Sequence, residues 1–285
     1  MKLIALDLDG TTLNSKKEMA PETLDAIKKA QEQGHIVMAM SGRSYKGIKR
    51  TLDQYNLDCP IGANNGTCLY EGDSILHLIT LSNQQTAQTM EVLEKERIPY
   101  NVTTDKGTYA PRTWDERLAT MLTSGRVPEE FKQNPHYKMF TTSPHVHGHF
   151  FFDDSSEILN DNEFTFIKIL MVTLDPEQKK RVYQSLSLIK EVMVLSSSPF
   201  NLEMTHASGS KGKGLEFMAR HHGISMKDTI AIGDEMNDVP MFQVAGLAIA
   251  MGNAEDEVKQ HSHVVTLTND EHGVAHAIKK YVLEE

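Results

Sequence analysis

The chain reads as an α/β protein in which a doubly wound parallel sheet is interrupted by an inserted α+β domain. Three observations predict this. At both ends of the sequence short apolar runs alternate with helical segments, the rhythm of βαβ units. Between about Asn83 and Thr205 that rhythm gives way to helices mixed with hairpin-like strands, and after Lys211 the alternation resumes. The sheet domain is therefore assigned to residues 1–82 and 206–285, and the insert to residues 83–205.

The elements follow in order. KLIAL is a buried strand that runs straight into Asp7-Leu8-Asp9-Gly10-Thr11. Residues two apart on a strand share a face, so both carboxylates are expected to point into one crevice. Pro21 suits the first turn of a helix reaching Gln33, Gly34 stops it, and HIVMAM is the second strand. A helix through Ile48 and Leu52 leads to a short strand near Ile61. The Asn65-Gly66 and Glu71-Gly72-Asp73 turns then mark antiparallel hairpins. In the insert, Gln84 to Arg97 reads as a helix, YNVTTDKGTYAP as a hairpin and FTFIKILMVTL as a strand. After Lys211 come a helix to His222, strand DTIAIGD, a helix through Met241, strand LAIAMG, a helix from Glu255 to His261, strand VVTL and a final helix.

Composition narrows the function classes. At 285 residues and 39% apolar content the chain can bury a full core. A formal net charge of -10 with no basic run disfavours a nucleic-acid partner. No stretch of about eighteen apolar residues exists, so no membrane partner is expected and the protein reads as cytoplasmic. Cys59 and Cys68 lack CxxC spacing and read as small core hydrophobes. The fifteen methionines read as core filler.

Four separated segments fall at the carboxyl ends of the predicted parallel strands, where open sheets bind ligands. The first gives Asp7, Asp9, Gly10 and the Thr11 hydroxyl. The second, Ser41-Gly42-Arg43, offers a hydroxyl and turn amides to phosphate oxygens. The third, Ser210-Lys211-Gly212, opens a helix with a cation suited to a transferring phosphoryl group. The fourth, Gly233-Asp234-Glu235-Met236-Asn237-Asp238, adds acid where a hard cation would sit. Three carboxylates around one crevice imply Mg2+. Each segment alone has an ordinary reading, as a turn, a strand exit or a helix start; their convergence points to phosphoryl transfer. A P-loop is excluded because the Lys-Ser or Lys-Thr pair that should follow the last glycine, Gly214, is absent and Leu215 stands there, and no GxGxxG follows the first strand.

These four segments, in this order, resemble the motifs of the haloacid dehalogenase superfamily. SGR, NNG, SKG and GDEMND, with a large insert after the second motif, resemble its Cof-type phosphatases, which have a Rossmann-like core and a cap. The resemblance implies that Asp7 is the nucleophile, forming an aspartyl-phosphate. Asp9 would be the general acid, kept protonated by its carboxylate neighbour. Asp7, the Asp9 main-chain carbonyl and Asp234 would ligate Mg2+. The Leu8 amide, Ser41, Gly42, Lys211 and Asn237 would hold the phosphate, with Thr11 and Asp238 supporting them. The expected reaction is hydrolysis of small phosphomonoesters, sugar phosphates or phosphorylated cofactors, with the insert as a mobile lid. A phosphomutase using the same chemistry, and a non-enzymatic phosphate sensor, are the alternatives.

Other residues stay open. Arg43 and Asn65 belong either to the mouth of the site or to a domain junction. Arg112, Trp114 and Arg117 either contact substrate or lie on a surface helix of the insert. His145, His147 and His149 alternate as on an exposed polar strand face, the alternative being metal ligands.

Overall fold

The computed structural model describes residues 1–161, 163–196 and 198–283. The chain divides into two compact units, Met1–Leu78 with Gly209–Glu285, and Ile79–Ser208. The first begins with β1 (Leu3–Leu6), α1 (Pro21–Glu32), β2 (Ile36–Met40), α2 (Tyr45–Asp53), β3 (Ile61–Ala63), β4 (Cys68–Glu71) and β5 (Ser74–Leu78). The second contains α3 (Asn83–Lys95), β6 (Tyr100–Thr104), β7 (Thr108–Pro111), α4 (Trp114–Thr123), α5 (Tyr137–Phe140), β8 (Phe150–Phe152), α6 (Ser156–Leu159), β9 (Phe166–Val172), α7 (Pro176–Leu186), β10 (Val192–Leu195) and β11 (Asn201–His206). The chain completes the first unit with α8 (Lys211–His221), β12 (Thr229–Gly233), α9 (Val239–Val244), β13 (Leu247–Ala250), α10 (Asp256–Lys259), β14 (Val264–Val265) and α11 (Gly273–Ile278).

The first unit is built on an eight-stranded sheet of order β14-β13-β12-β1-β2-β3-β4-β5. From β14 to β3 every pairing is parallel, and the β3–β4 and β4–β5 pairs are antiparallel. All residues of β1 and β12 are buried, as central strands covered on both faces must be. α1 buries Thr23, Ala26, Ile27 and Ala30, one stripe at helical spacing. β1 lies between β2 and β12, so the chain departs to opposite sides of it. That is the switch point at which such sheets open a crevice beyond their carboxyl ends.

α10 is shorter than the expected Glu255–His261 because the Ser262 N–H turns back to the Lys259 carbonyl and the His263 N–H bonds Ala248, bringing the chain into β14. Cys59 and Cys68 are buried free thiols. No helix among the described residues is long and apolar enough to cross a membrane.

The second unit has a six-stranded sheet of order β10-β11-β9-β6-β7-β8, antiparallel except for the β7–β8 pair. Two expectations for it are corrected. Trp114 and Arg117 are not on an exposed helix face: both are buried. Arg117 pairs with Glu94, donates to the Ile98 carbonyl at 3.1 Å and lies over the Tyr100 ring, so burial of its cation is matched by partners. Arg112 alone is outward, paired with Asp153 at 2.8 Å. His145 and His147 are not on a strand, because Ser143 caps a 3-10 turn over Pro144–His147 and β8 begins only at Phe150. Among the described residues no metal-ligand grouping includes these histidines.

Candidate active site

The site forms where β1 ends. Asp7 is the first residue past the strand, and its N–H still donates to Ile232 of β12 at 3.0 Å. Its carboxylate accepts from Lys211 Nζ at 2.5 Å. Lys211 opens α8 just after the Ser210 N-cap, is fully buried, and also donates to Asp238 Oδ1 at 2.5 Å. The other oxygen of Asp238 accepts the Asp234 and Glu235 N–H groups at 2.8 and 3.0 Å. Gly233 is required beneath it, since a Cβ there would overlap the Asp238 carboxyl. Asp234 accepts from Thr11 Oγ1 at 2.6 Å. Gly10 sits at φ +80 and a Cβ on it would strike the Asp234 carboxylate, so glycine serves both the turn and the close approach. The segments of Asp7, Lys211 and Asp234 to Asp238 therefore converge.

Asp9 behaves differently from the expectation. β1 stops at Leu6, so the two-residue repeat of a strand no longer governs Asp9. The charges that act on Asp7 are Lys211, Asp238 and Asp234; those that act on Asp9 are Arg43 and Lys17. Arg43 grips Asp9 bidentately through Nε at 2.7 Å and Nη2 at 2.6 Å, and Lys17 Nζ adds a bond at 2.9 Å. Burial would raise the Asp9 pKa, but these hydrogen bonds and charges outweigh it and hold the carboxyl below its ordinary value. The form favoured here is the carboxylate, not the acid that a carboxylate neighbour was expected to favour.

The remaining predicted residues line the same edge. Ser41 follows β2, is buried, and accepts the Arg43 N–H on its hydroxyl at 3.2 Å. Gly42 packs close to the Asn65 side chain. Asn65 holds φ +59, accepts from Asn237 Nδ2 at 3.1 Å and returns its N–H to the Ser41 carbonyl at 2.9 Å. The Asn237 Oδ1 atom is buried with no hydrogen-bond partner, an orphan of the kind a ligand satisfies. Leu8 is buried, and its carbonyl accepts the Leu13 N–H at 2.8 Å, which shapes the loop around Asp9. Asn253, unanticipated from sequence, donates to the Gly10 carbonyl at 2.9 Å and to Asp234 at 3.4 Å. Its position just after apolar strand LAIAM, at the carboxyl edge, was the available signal. Nothing in the sequence singled out Lys17.

The electrostatics call for a cation. One lysine stands against three clustered carboxylates, Asp7, Asp234 and Asp238, whose oxygens lie within 4.8 Å of one another. Burial would lower the Lys211 pKa, yet Asp238 and Asp7 outweigh it and keep the ammonium charged. Burial pushes Asp7 well above the usual carboxylate range despite Lys211. It lifts Asp234 to about 7, with Asp238 and Glu235 adding to the shift and the Thr11 hydrogen bond opposing it. Buried excess negative charge of this kind is relieved by a hard divalent ion on oxygen ligands. Asp238 is already engaged by Lys211 and two amides, which leaves Asp7 and Asp234 as the carboxylates that fit it.

Comparison with known proteins agrees with this chemistry. A family model described as haloacid dehalogenase-like hydrolase matches residues 4–278. The phosphatase YwpJ of Bacillus subtilis is 30% identical over 98% of this chain and 99% of its own length. The 5-amino-6-(5-phospho-D-ribitylamino)uracil phosphatase YwtE of the same organism is 34% identical over 98% of this chain and 97% of its own. A solved haloacid dehalogenase-like hydrolase from B. subtilis superposes with a TM-score of 0.80 at 29% identity, covering 99% of this chain and all of its own. With the motifs, the sheet and the site of one family in a single chain, the protein belongs to the haloacid dehalogenase-like hydrolases and is a phosphatase.

Proposed function

We propose that the protein is a cytoplasmic, Mg2+-dependent phosphatase that hydrolyses small phosphomonoesters, sugar phosphates or phosphorylated cofactors, through an aspartyl-phosphate on Asp7, with residues 83–205 as its cap domain. The observation that carries this reading is the buried Asp7–Lys211–Asp238 chain beside Asp234. It holds a carboxylate nucleophile, a fixed cation and a metal-ligand carboxylate at one strand end.

In the first half-reaction an Asp7 oxygen attacks phosphorus, the ester P–O bond breaks, and the leaving alkoxide takes a proton from Asp9. In the second, water attacks the phosphorus of the aspartyl-phosphate, gives its proton to Asp9, and inorganic phosphate departs as Asp7 is regenerated. Because Arg43 and Lys17 hold Asp9 ionised, its acid role requires that substrate binding loosen this grip, whereas its base role uses the carboxylate as it stands. The Leu8 N–H, Ser41, Gly42, Lys211 and Asn237 hold phosphate oxygens, Asp238 fixes Lys211, and Thr11 fixes Asp234. Asp7, the Asp9 carbonyl and Asp234 would hold Mg2+, whose charge offsets the repulsion between a carboxylate and a phosphate dianion.

The test is release of inorganic phosphate by the purified protein from a panel of sugar phosphates, pyridoxal and flavin phosphates and a ribitylaminouracil phosphate, with Mg2+ and then with chelator. The expected result is Mg2+-dependent release that Asp7→Asn abolishes while the fold is kept. Equal turnover in the chelated enzyme or in Asp7→Asn overturns the mechanism. Turnover seen only as transfer to a second hydroxyl, dependent on a bisphosphate primer, makes the protein a mutase instead.

A further inference from the structure

Lys211 begins α8, and the opposite end of the same helix carries a cluster for which the phosphoryl-transfer site has no use. His221 is the last residue of α8 and His222 its C-cap; Glu71 ends β4. Glu71 Oε2 lies 3.5 Å from His221 Nε2, and Glu71 Oε1 lies 3.6 Å from His222 Nε2. Both separations are too long for good hydrogen bonds, and His222 Nε2 is buried without a hydrogen-bond partner. They suit donors sharing one ion, since bonds of about 2.1 Å at tetrahedral angles set neighbouring donors about 3.4 Å apart. All three donor atoms lie within 4.8 Å of one another.

The rings are held in place. His221 stacks on Phe217 at 6.2 Å and 11°, Phe217 stacks on His77 at 4.5 Å and 13°, and His222 meets His221 edge-on at 4.9 Å and 77°. Arg220, the nearest cation in sequence, lies over the Phe217 ring. The carbonyl end of an eleven-residue helix and the Glu71 carboxylate both favour positive charge at this point.

We propose that Glu71, His221 and His222 bind one divalent transition-metal ion of the Zn2+ class, with water completing the coordination. Two imidazoles and one carboxylate select such an ion over Mg2+, which prefers all-oxygen sites, so the two metal sites of the protein differ in kind. The ion ties the β4 end of the β4–β5 hairpin to the C-terminal end of the helix that carries Lys211.

The experiment uses the full chain stripped with chelator and then dialysed against Zn2+ in the presence of excess Mg2+, with metal content, thermal unfolding and, after Co2+ substitution, visible absorption as readouts. One equivalent of Zn2+ is expected to be retained, the unfolding midpoint to rise, and Co2+ to give the visible bands of a low-coordinate site. Glu71→Gln and His222→Ala are each expected to weaken Zn2+ at least about tenfold, as loss of a metal-site partner does, while leaving Mg2+-dependent phosphate release unchanged. The proposal is overturned if no Zn2+ is retained over Mg2+, or if the wild type and both variants retain it equally, which would place the ion elsewhere.

Discussion

Asp7 and Asp9 are two residues apart, yet they occupy opposite electrostatic settings. Asp7 belongs to a sealed floor with Lys211 and Asp238, where every charge is buried and each depends on the next. Asp9 belongs to a half-open rim, with its side chain 35% exposed and its partners Lys17 and Arg43 54% and 31% exposed. Burial is the largest single influence on all three acids; in the floor it prevails and raises Asp7 and Asp234, whereas at the rim the hydrogen bonds and charges of Arg43 and Lys17 together outweigh it and keep Asp9 ionised. The difference follows from where the strand ends. β1 holds Asp7 against β12, and the turn at Gly10 then swings the chain away, so one dipeptide step separates a buried acid crowded by Asp234 and Asp238 from one already paired with two cations. The floor should therefore fail sharply when cut, and the rim gently.

The largest effect is expected from Lys211→Met. It leaves two carboxylates buried without their cation, and breaking a buried pair in this way costs about 3–5 kcal/mol. Denaturant unfolding should show that loss, and phosphate release should disappear with it. A variant as stable as the wild type would mean that the floor is solvated and that the contrast with the rim is false.

The next effect is a pH dependence of metal binding. Asp234 is raised to about 7 by burial, so in the metal-free fold it holds a proton that the unfolded chain has already lost over the range from about pH 4 to 7. The sign follows: a pKa raised on folding makes the metal-free protein less stable as pH rises through that window, and makes Mg2+ compete with a proton below 7. Apparent Mg2+ affinity should fall about tenfold per pH unit below 7 from this proton alone. Titration calorimetry between pH 5.5 and 7.5 in buffers of different ionisation enthalpy reads both the affinity and the proton released. A flat affinity would move Asp234 to the solvated side of the comparison.

Much of the floor was legible in the sequence, because its members are tied to strand ends. An apolar run followed by Asp, Ser or Gly-Asp fixes the carboxyl edge of a parallel strand, and the switch point gathers such edges; Asp7, Ser41 and Asp234 follow from that rule, and Lys211 from the helix start that Ser210 marks. The rim was not legible in the same way. The direction of Asp9 depends on the strand stopping at Leu6, a boundary set by the tertiary turn at Gly10 against Asp234, and Lys17 reaches it from a loop without periodicity. Arg117 illustrates the same limit: a charged residue on an amphipathic helix reads as surface until Glu94 and Tyr100 are seen to enclose it. His145 to His149 mimicked a strand because alternation over five residues also fits a capped turn opened by Ser143-Pro144.

The smallest effect in stability, and the most informative about Asp9, is expected from Arg43→Ala. Asp9 has a pKa held below its ordinary value, so its pairing contributes stability that is present above the unfolded carboxylate pKa and lost as pH falls through the folded one. Removing Arg43 at neutral pH should cost about 1 kcal/mol or less, since a half-exposed pair is screened and Lys17 remains. At a pH below both values the variant and the wild type should converge. In activity the same change has the opposite reach: freed of the bidentate grip, Asp9 keeps its proton to higher pH, so the alkaline limb of the rate profile should shift upward. This holds for substrates with poor leaving groups, which need the acid, and not for p-nitrophenyl phosphate, whose phenolate leaves unaided. A shift common to both substrates would assign Arg43 to phosphate binding instead, and an unmoved profile would separate the rim from the proton transfers altogether.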